Sequence, residues 1–312
     1  MFFSKSLKVI VISLILFSFA NCGKEKNEVS QLKKPPQRII SLAPGFTETL
    51  IDLGLKDRIV GVTTSCDYLK EVKEVERIGL YMKPSLEKIV GLSPDLVFAT
   101  DYVGQRQTVK ALEKLGIRVE VFFEEKGIEE LFLRVKRIEE ICGVQRKADL
   151  LIQKMQERIR EVRTRSSSLS RPRVYVEVGY NPLFTCGKGS FIDELIEIAG
   201  GENIGHEINK PYPRVSAEFI ISKNPEVIIL PYMGRGYGKE TLKKRKGWQR
   251  ISAVLNDRIY DDIGPQTITI LAPNLILNGL PELAKRIHPE IFKSNSPTKP
   301  SPTGGEGKRE GG

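Results

Sequence analysis

Two glutamates recur in the same short setting. Ser85-Leu86-Glu87-Lys88-Ile89 leads to Pro94-Asp95-Leu96-Val97, and Ser216-Ala217-Glu218-Phe219-Ile220 leads to Pro225-Glu226-Val227-Ile228. In each copy a Ser able to cap a helix N-terminus stands two residues before the Glu. A carboxylate in that first turn interacts favourably with the helix dipole, worth about 0.3–1 kcal/mol. The other reactive residue types lack the spacing that catalysis or metal binding needs. Beyond Cys22 there are Cys66, Cys142 and Cys186, with no C-x-x-C pair. An odd number leaves at least one thiol free, and the three read as small buried apolar residues. His206 and His288 lie far apart, without cysteine or carboxylate spacing, so no metal site is expected. Gly234-Arg235-Gly236-Tyr237-Gly238-Lys239 is similar to a phosphate loop, but Glu240 holds the Ser/Thr place and the first Gly is missing. Gly187-Lys188-Gly189-Ser190 also lacks the spacing, and Ser190 with Asp193 reads as a helix cap. Without a nucleophile–base constellation, the chain reads as a protein that is not an enzyme and needs no cofactor.

The beginning of the chain carries an address. Lys5 and Lys8 precede an apolar run over residues 9–20. That run is shorter than the ~20 residues of a membrane-spanning helix, and a basic flank before a short apolar core reads as a secretory signal peptide. Cys22 follows directly and looks like a bacterial lipoprotein cleavage site, with Cys22 as the lipidated first residue. An exported protein, periplasmic or at the cell surface and lipid-anchored to a membrane, is the expectation. The net charge is +10, but the basic residues are scattered apart from a run over 239–246, which reads as a solvated surface. No nucleic-acid partner is expected.

The elements that must position the glutamates are themselves repeated. Phe46-x-Glu48-x-Leu50-Ile51-Asp52-Leu53 parallels Phe191-x-Asp193-x-Leu195-Ile196-Glu197-Ile198, and Arg38-Ile39-Ile40 parallels Arg173-Val174-Tyr175. Three matches in one order imply two similar lobes. In the first, short apolar runs at 38–42, 58–62, 96–100 and 118–123 suit buried strands, with helices at 47–53 and 108–115. In the second, strands at 174–178, 227–230 and 258–261 and a helix at 192–199 take the same roles. Alternation of this kind predicts an α/β fold with parallel sheets covered on both faces. Between the lobes, Ala148, Leu151, Ile152, Met155, Ile159 and Val162 fall at helical spacing. They predict one long connecting helix over 144–168. The domain plan is a leader over 1–22, a linker over 23–37, lobes over 38–143 and 169–292, and a disordered tail over 293–312 rich in Ser, Pro and Gly.

Several stretches together resemble the class III periplasmic binding proteins, which serve vitamin B12, iron-siderophore and haem importers. They are Ile40-Ser41-Leu42-Ala43-Pro44-x-x-Thr47-Glu48, Pro84-Ser85-Leu86-Glu87, Ser93-Pro94-Asp95-Leu96-Val97, Gly187-Lys188-Gly189-Ser190-Phe191 and Ala199-Gly200-Gly201-Glu202-Asn203-Ile204. The likeness is greatest to the vitamin B12-binding branch and covers about residues 38–290. It implies two Rossmann-like lobes joined by one rigid helix, with the ligand held in the cleft between them. It also implies that Glu87 and Glu218 engage arginines on the two subunits of an ABC permease that works with ATPase subunits. Two equivalent carboxylates on two lobes can meet two like subunits at once.

Cleft residues should come from strand ends and the loops after them. Those candidates are Pro44, Gly45, Tyr68, Tyr81 and Tyr102 in the first lobe, and Phe184, Tyr212 and Tyr232 in the second. Flat aromatic faces with phenol hydroxyls suit a large, partly apolar ligand with amide edges. A corrinoid such as cobalamin is the leading expectation, with an iron-siderophore or haem as the alternative metal chelate. The chain departs from the vitamin B12 branch in two ways: Trp248 is its only tryptophan, and Asn274 stands where that branch carries an Arg. Arg106, Arg214 and Arg235 are the candidates for meeting ligand carboxylates. Trp248 reads as a packing anchor. The stiff connector implies a mostly preformed cleft in a monomer.

Overall fold

The computed structural model describes residues 34–123, 127–144, 146–231 and 238–290. The leader with Cys22, the linker up to residue 33, Tyr232, Arg235, all but Gly238 and Lys239 of the phosphate-loop lookalike, and the tail lie outside the described residues. The first lobe holds β1 (Ile39–Ser41), β2 (Ile59–Val62), β3 (Glu76–Arg77), the hairpin of β4 (Gly79–Leu80) and β5 (Lys83–Pro84), β6 (Leu96–Thr100) and β7 (Val119–Phe122). Its sheet is parallel in the order β3-β2-β1-β6-β7. Its helices are α1 (Pro44–Asp52), α2 (Leu86–Gly91), α3 (Arg106–Lys114) and α4 (Ile128–Cys142). The connecting helix α5 runs Lys147–Ser166.

The second lobe holds β8 (Arg173–Gly179), β9 (Phe184–Thr185), β10 (Glu202–Asn203), β11 (Val227–Ile229) and β12 (Ile259–Tyr260). Its sheet runs β10-β8-β11-β12, all parallel, with β9 antiparallel to β8. Its main helices are α6 (Phe191–Ile198) and α7 (Ala217–Lys223). The chain then adds the short helices α8 (Lys239–Lys243), α9 (Ser252–Leu255) and α10 (Pro265–Ile268), a π-helical turn at Leu275–Gly279, and α11 (Leu280–Ile287).

Alternate strand residues feed different cores, as the period of two requires. Ile39, Leu96 and Phe98 point inward from the first sheet, and Val174, Val176, Val227 and Ile229 point inward from the second. All of them join one apolar cluster that also takes in Leu131, Val135 and Ile138 of α4, Ala148, Leu151 and Met155 of α5, and Leu283 and Ile287 of α11. Their neighbours face the other way. Ile40, Val97 and Ala99 enter a separate cluster on the outer face of the first sheet. Tyr175, Ile228 and Leu230 enter another, with Trp248. The lobes therefore share their inner core and keep private outer ones. Trp248 is buried there, beside Tyr175.

The connector is shorter than the helix expected over 144–168. Gly143 ends α4 in the left-handed region at φ 65°, and Arg146 is also left-handed at φ 69°. The helix therefore begins at Lys147, and its 20 residues span about 30 Å. The sequence reading did not include α4, although Ile128, Leu131, Val135, Ile138 and Cys142 have helical spacing.

The sequence repeat persists in atomic detail. Arg38 donates its Nε to the carbonyls of Leu92 and Ser93, and its backbone N–H goes to the Asp95 carboxylate. Arg173 donates its Nε to the carbonyls of Lys223 and Asn224, and its N–H goes to the Glu226 carboxylate. Ser93 and Asn224 share a left-handed backbone, at φ 46° and 45°. Each arginine thus ties the start of a central strand to the turn after the Ser-capped helix.

One buried ion pair belongs to the second lobe alone. Arg245 holds Glu177 through both terminal nitrogens, at 2.5 and 2.7 Å, and its guanidinium stacks at 4.6 Å on both Tyr180 and Trp248. Glu177 has no exposed surface. Removing one partner strands the other charge, at a cost of about 3–5 kcal/mol. Arg245→Leu should therefore lower unfolding free energy by about that amount in urea titrations, and Glu177→Leu in the same chain should restore a large part of it.

Candidate functional site

The strand orders decide where a ligand can enter. In the first sheet the chain passes from β1 to β2 on one side and reaches β6 on the other. The loops after β1 and β6 therefore diverge at the carboxyl ends and leave a crevice. The second sheet has the corresponding divergence between β8 and β11. A cleft of about 530 Å³ opens over the first crevice and is closed from the second lobe. Phe46 of α1, Thr100 at the end of β6 with Asp101–Val103 after it, and Phe122 and Phe123 at the end of β7 form its first-lobe side. Phe191 of α6, Tyr212 and Leu271 form its second-lobe side.

The aromatic wall is organised by stacking. Tyr81 and Tyr102 lie with ring centroids 5.5 Å apart, and Phe46 packs on Phe98 and Phe122 at 6.1 and 5.2 Å. Gln105 is fully buried and anchors the rim. Its side-chain nitrogen donates to the carbonyls of Leu42 and Tyr81, and its oxygen accepts from the Thr100 N–H. Phe123 and Val103 are among the most exposed large apolar side chains of the described chain. A row of exposed apolar groups at a cleft mouth fits a ligand with an apolar face.

Of the residues singled out from the sequence, Tyr81, Tyr102, Tyr212 and Arg106 line this cleft. The structure does not bring the others to its wall. Pro44 is the half-buried first residue of α1. Gly45 lies beneath other groups: a Cβ there would stand 2.8 Å from the Leu271 carbonyl and 3.6 Å from the Arg134 guanidinium. Tyr68 turns to the Glu48 carboxylate. Phe184 packs over Gly179, and Arg214, exposed, pairs with Phe184 in an isolated bridge. Tyr232 and Arg235 fall outside the described residues.

Sequence reasoning missed Phe46, Phe122, Phe123, Phe191, Leu271 and, above all, Arg134. Arg134 sits on α4 between the core residues Leu131 and Val135, only 7% exposed. It lies over the Phe46 ring, 5.5 Å from its centroid, and donates to the Leu271 carbonyl. A charged residue inside an apolar helical stripe was the signal available in the sequence.

Glu87 and Glu218 stand outside the cleft, one on each lobe. Ser85 Oγ accepts from the Lys88 N–H at 3.3 Å, and Ser216 Oγ accepts from the Phe219 N–H at 3.2 Å. Both glutamates are exposed in the first turn of their helices, α2 and α7, which lead into the central strands β6 and β11. In each, a hydrogen bond from its own backbone N–H, followed by one from the capping Ser, holds the carboxyl below its usual range. Both remain anionic under physiological conditions. Cys66, Cys142 and Cys186 are free and buried, and burial pushes their thiols up, to about 11 for Cys142 and about 12 for Cys186. Ser190 caps α6 by accepting from the Asp193 N–H at 3.2 Å.

Two parallel-sheet lobes, one connecting helix and a cleft at the strand ends define a bilobed binding protein of the class III type. The match to the family model described as "Periplasmic binding protein" spans residues 39–264, and the chain belongs to that family. An uncharacterized ABC transporter substrate-binding lipoprotein of Bacillus subtilis, YvrC, is 33% identical over 86% of this chain and 85% of its own length. A vitamin B12-binding protein of Salmonella choleraesuis is 28% identical over 79% of this chain and 91% of its own. The crystal structure of a possible iron-binding periplasmic solute-binding protein from Staphylococcus epidermidis superposes with a TM-score of 0.71 at 28% identity, covering 82% of this chain and all of that one. The protein is an ABC transporter substrate-binding protein.

The first crevice adjoins a buried acid. Burial, above all, raises the Glu48 carboxyl from 4.5 to about 7, and burial likewise raises Asp52 from 3.8 to about 6. An acid with a raised native pKa weakens folding where only the unfolded chain ionises it, so stability should fall as pH rises from about 4.5 to about 7. Glu48→Gln should match the wild type at pH 4 and exceed it by about 1–3 kcal/mol at pH 8, read by urea unfolding at both pH values.

Proposed function

We propose that this chain is the lipid-anchored substrate-binding component of an ABC importer, and that it captures a corrinoid of the vitamin B12 type between its lobes and delivers it to the permease. The observation that carries this reading is the cleft itself, with aromatic walls contributed by both lobes. Tyr81, Tyr102 and Phe123 from one side and Phe191 and Tyr212 from the other offer flat apolar faces, and the three tyrosines other than phenylalanine's bare ring add hydroxyls for amide edges. The Salmonella relative named for vitamin B12 supports the choice of ligand. The shared inner core supports a cleft that is mostly preformed. The relatives are transport proteins, which supports a carrier rather than an enzyme. Export through the leader and lipidation of Cys22 agree with the lipoprotein name of the Bacillus relative.

One observation favours a second reading. Arg134 and Arg106 both line the cleft, and guanidinium groups suit ligand carboxylates, so an iron-siderophore or haem is the rival guest. Cyanocobalamin, haemin and a panel of ferric siderophores, each added to purified protein, separate the two by quenching of tyrosine fluorescence. Saturable binding of cyanocobalamin alone is the expected result. Silence with cyanocobalamin and saturation by a chelate would replace the corrinoid with that chelate.

Glu87 and Glu218 are the proposed permease contacts. Their support is their matching placement on the two lobes, their exposure and their permanent charge. The double variant Glu87→Ala/Glu218→Ala should keep the ligand affinity of the wild type and abolish uptake in cells or proteoliposomes. Uptake at the wild-type rate would remove the assignment.

A further inference from the structure

The duplicated acid of the repeat has two different fates. Asp193, on α6, is fully partnered: its carboxylate accepts from Asn203 at 2.7 Å and from the Nδ1 of His206 at 2.9 Å, and its backbone N–H donates to the Ser190 cap. Glu48, the matching residue on α1, is 5% exposed, and its Oε2 has no hydrogen-bond partner among the described residues. Its Oε1 accepts from the Tyr68 hydroxyl. A half-satisfied buried carboxylate is costly when ionised, and packing alone does not call for one.

Its placement says what the charge could act upon. Glu48 and Thr49 stand three and four residues after Gly45 on α1, and Asp52 stands four after Glu48, so they share a face. The Arg134 guanidinium lies over Gly45 at the head of that face and over Phe46 in the cleft. Glu48 comes one turn further along, and Asp52 one turn beyond it. The charged and titratable groups facing Glu48 are therefore few. Asp52 lies on the same helix, Tyr68, Cys66 and Glu71 lie on the segment after β2, and Arg134 lies on α4; Lys154 of α5 faces Asp52. Arg134 is the cation in the set that opposes the rise of the Glu48 carboxyl, and Asp52 and Glu71 reinforce it.

We propose that Glu48 is a specificity-determining residue of the cleft: its proton sets how much positive charge Arg134 offers a ligand, so that a ligand bearing an acidic group binds with uptake of a proton while an uncharged ligand does not. The inference rests on the cleft being the ligand site. With Glu48 neutral, Arg134 presents more of its charge to the cleft. With Glu48 ionised, the guanidinium is already in part compensated, and an anion gains less. An anion that engages Arg134 in turn removes the influence that favours ionised Glu48, and the carboxyl takes a proton from solvent. The sign follows: affinity for an acidic ligand is higher at pH 6 than at pH 9. If binding moves the carboxyl by about one unit, the affinity difference approaches tenfold and uptake reaches about half a proton near pH 7.5.

Two measurements test this, one without ligand. The Glu48 side-chain carboxyl is followed by carbon NMR across pH 4–10 in the whole protein, with Glu48→Gln to assign the resonance. Arg134→Gln and Arg134→Lys are titrated in the same way. The expected result is a midpoint near neutral that moves up in Arg134→Gln and returns in Arg134→Lys. A midpoint that Arg134→Gln leaves in place overturns the coupling. In the second measurement, haemin, with two propionates, and cyanocobalamin, without a net acid, are titrated calorimetrically in buffers of different ionisation enthalpy. Proton uptake with haemin that disappears in Glu48→Gln supports the proposal, and uptake of the same size in both proteins overturns it. If neither compound binds, the cleft reading with these guests fails, and the ligand-free titration still decides whether Glu48 and Arg134 are coupled.

Discussion

The structure depends on one apolar core shared by two sheets. Alternate residues of β1 and β6 and of β8 and β11 reach the same cluster, and α4, α5, α6 and α11 complete it. A close-packed interior resists deformation, because each lost contact leaves a void that its neighbours fill only in part. Moving one lobe against the other would open this core. The cleft above it therefore has walls whose spacing is set by packing, and the connector is one contributor among several. Arg134 shows the same constraint at the level of a single side chain: it belongs to a first-lobe helix and donates to a second-lobe carbonyl at Leu271.

The duplication explains both the symmetry and the asymmetry of the molecule. Equivalent arginines, Arg38 and Arg173, fix equivalent turns, and equivalent serines cap the helices that carry Glu87 and Glu218. Phe46 and Phe191 reach the same cleft from α1 and α6. Where the halves diverge, the chemistry diverges as well. The second lobe satisfies its buried acid with hydrogen bonds from Asn203 and His206 and adds the Arg245–Glu177 pair, whereas the first leaves Glu48 beside a tyrosine and within the influence of a cleft arginine.

Much of the fold was legible because parallel strands buried on both faces are apolar throughout. Residues 96–100 were read as a strand and are one, to the residue. The strands around Ile39 and Val174, and the helices around Phe46 and Leu195, lie within three residues of their expected limits. The connector shortened because two left-handed residues precede it, and backbone handedness at a non-glycine such as Arg146 leaves no mark in an apolar pattern. The site was only partly legible. Tyr81, Tyr102 and Tyr212 carry a recognisable residue type into the cleft, but Tyr68 is the same type and turns to Glu48 instead. Side-chain type says what a residue can bind, and its neighbours in space decide what it does bind.

By itself the sequence determined the alternation of strands and helices, the twofold repeat, the Ser-capped pair of glutamates and the family, since each is written in short-range spacing. The tertiary structure decided which aromatics share a wall, that Arg134 enters the cleft, and that Glu48 keeps one oxygen without a partner among the described residues while Asp193 does not. These depend on contacts between segments tens of residues apart, such as Arg134 with Leu271 and Glu48 with Tyr68. Local pattern encodes which face of an element is apolar; it does not encode which distant element will cover that face.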